Sequence, residues 1–389
     1  MPNRGITVDA IVSAGVVGVG SVRYKGATMN DPHLSGMLPE DLVRHLAMTG
    51  TKTTIGEARR LLAHVITHSR GGFPIARPIP AAIARAVEAT TRRHGLHVAH
   101  RVADPGDGFL KYLFAAPDGA QWEAVRIPLE APRRFTICLS TQVGCAMGCA
   151  FCATGRLGFE RNLAAWEIVE TFRTVRDETP GRVTGAVFQG EGEPLANYDA
   201  VIQAARILSD PCGGRISARA ISISTVGLAA AIRRYAAERH PYRLILSLTS
   251  AIGTRRSALV PATRRWSLPD LADAWRTYQQ AVGGRVTVAW VVLGGVNTGE
   301  DEVEALAAWL GDLPVKLNLI DVNDSRPDGF CRADDAELNT FRDRLARLNV
   351  PVVRRYSGGA AIQAACGMLV GGQTPSLPPR PRDGRESLG

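Results

Sequence analysis

Apolar positions follow two different rhythms along the chain. Between Leu38 and about His100, the stretches PEDLVRHLA, IGEARRLLAHVI and IPAAIARAVEATTRRH carry apolar residues three and four apart, a spacing that gathers them on one face of a helix. This predicts a small helical domain over 36–100. From Phe135 onward the rhythm changes: FTICLST, VTGAVFQG, AISISTVG, RLILSLT, RVTVAWVVL and VKLNLIDV are short β-branched runs, each followed by a helical pattern. Six βα units of this kind specify an α/β fold, a parallel sheet covered by helices, either doubly wound or closed toward a barrel. Ligands of such sheets gather at the carboxyl ends of the strands. Between the two regions, FLKYLFA and AQWEAVRIP flank a Pro117-Asp118-Gly119 turn, which reads as a β-hairpin in a linker region over 101–134. The main domain is expected over 135–372, closed by VPVVRRY and a short helix holding Cys366. Residues 1–35 read as a weakly patterned leader and 373–389 as a flexible Pro- and Arg-rich tail.

Composition narrows the class. With 389 residues, 45% hydrophobic and 21% charged, the chain can bury a sizeable core and is not a disordered tail protein. Its 40 Gly and 23 Pro show neither a Gly-X-Y period nor a fixed repeat, which sets aside collagen-like and solenoid architectures. Apolar runs such as Val286–Leu293 stop well short of the roughly 20 residues a bilayer needs. No secretory signal is visible, so a cytoplasmic location without membrane attachment is expected. A formal charge of +9 is carried mostly by arginine, the only lysines being Lys25, Lys52, Lys111 and Lys316. Residues 41–134 hold 14 basic and 8 acidic side chains, so the front of the protein is where a polyanion is expected to be held.

Seven cysteines occur, and three of them are crowded: Cys145, Cys149 and Cys152 form a C-x3-C-x2-C element directly after the first strand of the βα region. A disulfide framework does not suit a large chain without an export signal. Three thiolates on one loop can hold a soft metal centre while leaving one coordination position free. In a four-iron, four-sulfur (4Fe-4S) cluster the uncovered iron takes an exogenous chelating ligand, whereas structural zinc, the bland alternative, wants four protein ligands. No fourth Cys or His lies near the loop.

The C-x3-C-x2-C loop resembles that of the radical S-adenosylmethionine (SAM) superfamily. A narrower resemblance, from about Leu38 to Gly372, is to the RlmN/Cfr group of RNA adenosine methyltransferases, which modify C2 or C8. It rests on the run from Cys138 to Cys145, Cys152-Ala-Thr-Gly155, Gly158-Phe-Glu-Arg-Asn162, Gly192-Glu193-Pro194-Leu195, Ser224-Thr225-Val226-Gly227, the stretch Asn318 to Asn323, and Ala364-Ala365-Cys366-Gly367. The resemblance implies a partial (β/α)6 barrel with a small N-terminal helical domain and hairpin.

It also implies roles. Cys145, Cys149 and Cys152 would ligate the cluster. Cys366 would take a methyl group from one SAM as S-methylcysteine. A second SAM would be cleaved to a radical that activates that methyl for addition to adenine, a carbon too poor a nucleophile for ordinary methyl transfer. Cys138 would then attack the sulfur of Cys366 and release the product, leaving a transient disulfide. Glu123 matches a glutamate assigned as proton acceptor. Gly192, Glu193, Ser224, Ser247, Leu248, Thr249 and Asn323 match segments that contact SAM. The implied partners are ribosomal or transfer RNA and an external electron donor such as flavodoxin or ferredoxin.

This chain departs from the group's pattern at several places. Glu191 stands where a small apolar residue or Met is usual, Thr249 replaces a His, Asp321 and Asp324 replace prolines around Asn323, and Gly359 with Ala360 occupies a usually acidic stretch before Cys366. The target nucleotide is therefore less fixed than methyl transfer itself. C2 is preferred. The alternatives are C8 methylation, a radical SAM enzyme of a small metabolite, and a noncatalytic RNA-binding protein.

Overall fold

The computed structural model describes residues 32–67, 79–92, 95–324, 326, 329–355 and 358–371. The leader over 1–35 lies almost wholly, and the tail over 373–389 wholly, outside the described residues. Helices α1 (Pro39–Met48), α2 (Ile55–Thr67) and α3 (Ala81–Thr90) open the fold. Each starts on a local signal. Pro39 occupies the first turn of α1, where its missing N–H costs nothing, and Asp41 accepts the Leu38 N–H at 3.0 Å. At α2, Thr54 and Glu57 exchange bonds, the Thr54 N–H reaching Glu57 Oε2 at 2.8 Å. Leu42, Leu46, Leu61, Leu62, Ile83 and Val87 close a small core of their own. His33 stacks on Trp166 at 4.2 Å, and Gln203 donates to Asp41 at 2.9 Å, so this unit is docked on the main body.

One ten-stranded sheet carries the rest of the molecule. Strands β1 (His97–Ala103), β2 (Leu110–Ala115), β3 (Gln121–Pro128) and β4 (Arg134–Leu139) pair antiparallel in sequence order. Parallel to β4 then follow β7 (Arg182–Phe188), β8 (Ile221–Thr225), β9 (Arg243–Ser247), β10 (Val286–Val292), β11 (Val315–Asp321) and β12 (Val352–Arg355). The spatial order β4-β7-β8-β9-β10-β11-β12 never reverses. A doubly wound sheet needs such a reversal, so the fold is the barrel-like alternative. Crossover helices α5 (Ala165–Asp177), α6 (Tyr198–Ser209), α7 (Ala229–Glu238), α8 (Gly253–Leu259), α9 (Leu268–Val282), α10 (Glu300–Leu310) and α11 (Asp335–Ala346) link successive strands. Phe172, Phe188, Trp275, Trp290 and Phe341 anchor the core between sheet and helices.

Two features differ from the sequence expectation. The hairpin is not a separate linker: Val125 to Pro128 pair with Cys138 to Phe135, so β2 and β3 extend the barrel sheet. An additional strand, β1, runs across residue 100 and is exposed along most of its length, so it lacks the apolar signal of its neighbours. A two-stranded miniature sheet, β5 (Gln142–Gly144) with β6 (Phe159–Asn162), frames the cysteine loop and the short helix α4 (Ala153–Leu157).

Candidate active site

Strand β4 ends in Leu139, and the chain turns through β5 into Cys145, so the three-cysteine loop lies at the carboxyl end of the sheet. Gly144 has φ 71°, and a Cβ there would strike Gly158 O, the oxygen that accepts the Cys145 N–H at 2.6 Å. Cys145 and Cys149 are buried and Cys152 is half-buried. Burial pushes the thiols of all three up, and the neighbouring cysteines push Cys149 further. Such thiols become thiolates only when a soft cation compensates.

Cys145, Cys149, Cys152, Cys138 and Cys366 line one cavity of about 210 Å³ at the carboxyl ends of the strands. Cys138 is on β4, and Cys366 follows the 3-10 turn Ala360–Ile362 near the end of the described chain. They lie 228 positions apart in sequence (366 less 138) yet share this cavity. Two hydrogen bonds hold the Cys366 segment to the cysteine loop: the Ala153 N–H reaches Gly367 O and the Thr154 hydroxyl reaches Leu369 O, each at 2.7 Å. Burial, and then the Cys366 thiol, push the Cys138 thiol well above its ordinary value. All seven cysteines are free, so no Cys138–Cys366 disulfide is present.

The next strand ends supply polar groups. Gly192 has φ 96°, and a Cβ there would lie 2.6 Å from Gln142 Cβ, a close approach only glycine permits. Beside it Glu193 is buried, its carboxylate accepting the Leu195 and Val226 N–H groups at 2.9 Å each, and burial lifts it to about 7. Ser224 and Ser247 hydroxyls meet at 3.1 Å on adjacent strands. Thr249, β-branched, holds φ 62°, a costly conformation fixed by Asn297, which donates to Thr249 O at 2.7 Å. Asn323 donates to Cys366 O at 3.4 Å. Gly192, Glu193, Ser224, Ser247, Thr249 and Asn323 all line the cavity.

Two expected residues do not. Leu248 is fully buried, and its carbonyl accepts from the guanidinium of Arg256. Glu123 is buried outside the cavity lining, paired with Lys111 at 2.9 Å. Lys111 and Arg256 escaped the sequence reading. A lysine inside the alternating strand FLKYLFA, in a chain with four lysines, was the available signal for the first. Arg256, buried and bonded among the described residues to the Ser247, Leu248 and Val226 carbonyls, had none.

The Radical SAM superfamily matches residues 139–310. A probable RNA methyltransferase of Anaeromyxobacter sp. is 47% identical over 87% of this chain and 98% of its own length. A dual-specificity RNA methyltransferase RlmN of Syntrophobacter fumaroxidans is 40% identical over 68% of this chain and 77% of its own. The crystal structure of a radical SAM methyltransferase from Sphaerobacter thermophilus superposes with a TM-score of 0.79, at 33% identity, over 87% of this chain and 99% of that one. The chain belongs to the RlmN-type radical SAM RNA methyltransferases.

Membership in the RlmN type makes the protein an enzyme and implies a 4Fe-4S cluster and SAM. The residues present fit both. Cys145, Cys149 and Cys152, three thiols of one loop that all line the cavity, are the soft donor set a cluster takes at one thiolate per iron. The polar groups beside the loop suit an amino-acid headgroup: Glu193 for an ammonium, and Ser224, Ser247 and Asn323 as hydrogen-bonding partners. No helix among the described residues is long and apolar enough to cross a membrane.

Proposed function

We propose that the enzyme methylates an adenine carbon, C2 in preference to C8, of ribosomal or transfer RNA, with Cys366 carrying the methyl group. The observation that supports this most is the meeting of Cys366, Cys138 and the three-cysteine loop in the lining of one cavity. A bound cluster would supply the electron that cleaves SAM. Cys145, Cys149 and Cys152 would hold that cluster, and Gly192, Glu193, Ser224, Ser247, Thr249 and Asn323 would orient SAM in the cavity. Leu248 would contribute packing behind it.

Cys366 is exposed, as a sulfur must be if it is to meet both SAM and a base. Cys138 is buried beside it and held neutral, which suits a thiol that must wait until the base is attached before attacking the Cys366 sulfur. The resulting Cys138–Cys366 disulfide would need an external reductant, as the cluster would need an electron donor such as flavodoxin or ferredoxin. Glu123 would take the proton lost from the base only after leaving its partners, since Lys111 and the Val370 N–H occupy it.

The test is a pair of substitutions read on RNA. Cys366→Ala should abolish methylation, and Cys138→Ala should accumulate a covalent protein–RNA adduct. Mass spectrometry of nucleosides from a deletion strain and its parent reports both base and carbon. Free turnover by Cys138→Ala would sink the release step. Methylation surviving Cys366→Ala would sink the carrier.

A further inference from the structure

Lys111 and Glu123 are a buried ion pair on neighbouring strands of the hairpin. Register explains how they meet. Lys111 pairs with Val125, Val125 with Cys138, and Cys138 with Val187, so one row across four strands sets Lys111 on the same sheet face as Cys138. Glu123, two residues before Val125, is the diagonal neighbour of Lys111 on that face. Against the same face packs a small separate core of Phe109, Val125, Cys138, Ala364 and Leu369. Two of its members flank Cys366.

Both ions also reach out of the hairpin, and to the same segment. Lys111 Nζ donates to Gln363 O at 3.3 Å, three residues before Cys366. Glu123 Oε2 accepts the Val370 N–H at 2.8 Å, four residues after it. Asp107, just before β2, accepts the Gly359 N–H at 2.7 Å. The other side of the loop is bonded to the cysteine-loop residues Ala153 and Thr154. The segment bearing Cys366 is thus suspended between hairpin and cysteine loop, and a single ion pair grips both its ends.

We infer that Lys111 is a positioning residue for Cys366: paired with Glu123, it clamps Gln363 and Val370 and so fixes the thiol over the cavity. This rests on the reading that Cys366 carries the methyl group. The hairpin then does more than close the sheet edge, since it is the platform from which the carrier is presented. Without the cation, Glu123 is left as an uncompensated buried charge, and its hold on Val370 fails along with the bond to Gln363.

The test compares the full-length protein with Lys111→Met and Lys111→Arg. Two quantities are read: amide hydrogen exchange across 363–371, and the rate at which iodoacetamide alkylates Cys366 relative to the exposed Cys331. In Lys111→Met the Val370 amide should exchange about tenfold faster and Cys366 alkylation should rise about as much, with β10 and β11 amides unmoved. Lys111→Arg, which keeps the charge, should restore most of the protection. Exchange and alkylation unchanged in Lys111→Met, or a rise shared equally with β10, would overturn the clamp. If Lys111→Met does not fold, Glu123→Gln serves: it weakens the acceptor for Val370 and should loosen 369–371, and an unmoved Val370 amide again overturns the proposal. Neither readout uses cluster, SAM or RNA. A loosened loop in Lys111→Met together with methylation surviving Cys366→Ala keeps the clamp and removes the role given to Cys366. A tight loop with lost methylation removes the clamp.

Discussion

Glu191 is the residue whose chemistry departs furthest from its surroundings. It is buried with no cation at ion-pair distance among the described residues, its Oε1 accepts the Glu123 N–H at 2.8 Å, and the backbone of Gly144 and Gly371 lies close to its carboxyl. Burial first, and then the charge of Glu123, lift it from an ordinary 4.5 to about 8, so near neutrality it is largely a neutral acid. That neutrality lets a carboxyl occupy a place where the group usually carries an apolar residue. The folded state binds this proton more tightly than the unfolded chain, so its contribution is full below about 4.5 and is lost as pH rises through about 8. Glu193, lifted to about 7 by burial, acts in the same direction. Glu191→Gln should remove the first contribution, raising stability near pH 8 by about 1–3 kcal/mol while changing little near pH 5. Urea midpoints at the two pH values measure it, and a variant no more stable at pH 8 than the parent would show that Glu191 is ionised without cost.

At the level of elements, the miniature sheet of β5 and β6 sets the shape of the cysteine loop. Gly144 and Gly158 pass so closely that any side chain on Gly144 collides with the Gly158 carbonyl, and φ 71° at Gly144 adds to the strain. Gly144→Ala should cost about 1–3 kcal/mol and lower iron and sulfide content after anaerobic reconstitution, because the carbonyl displaced is the acceptor for the Cys145 N–H. Full incorporation with an unchanged melting temperature would mean the loop does not depend on this frame. The same scale shows why some elements could be read from the chain and others could not. Strands β4 and β7 to β11 are β-branched runs largely buried by helices on one side and the barrel interior on the other, and those runs announce themselves. Strand β1 offers HVAHRVA to solvent, and β5 has only three residues, so neither carries a period. Among the site residues, Cys145, Cys149 and Cys152 are legible because their spacing is local, whereas Cys138 and Cys366, 228 positions apart, are legible only through the family resemblance. The partnership of Lys111 with Glu123 and of both with the Cys366 loop is not, since it depends on β-register and on a closure spanning 247 positions.

Across the whole molecule, the cavity and the helical front unit must cooperate if the substrate is RNA. The front unit is tied to the barrel by His33 on Trp166, Gln203 on Asp41 and Arg176 on the Ile66 carbonyl, so a polyanion bound there would be held in fixed relation to the cavity. Arg44, Arg59 and Arg85 are exposed on α1, α2 and α3. Deleting the unit outright would unstack Trp166 and expose its core residues, which confuses loss of binding with loss of fold. Charge reversal at the three arginines leaves that core intact and addresses the electrostatics alone. Each phosphate contact removed lowers the slope of log affinity against log salt by about 0.7–0.9, so the triple Arg→Glu variant should bind RNA more weakly at low salt and lose about 2–3 from the slope. Cleavage of SAM without RNA should be unchanged, because those positions are outside the cavity lining. A triple variant with the parent's affinity and salt slope would assign RNA recognition to another part of the surface, leaving the helical unit a structural buttress.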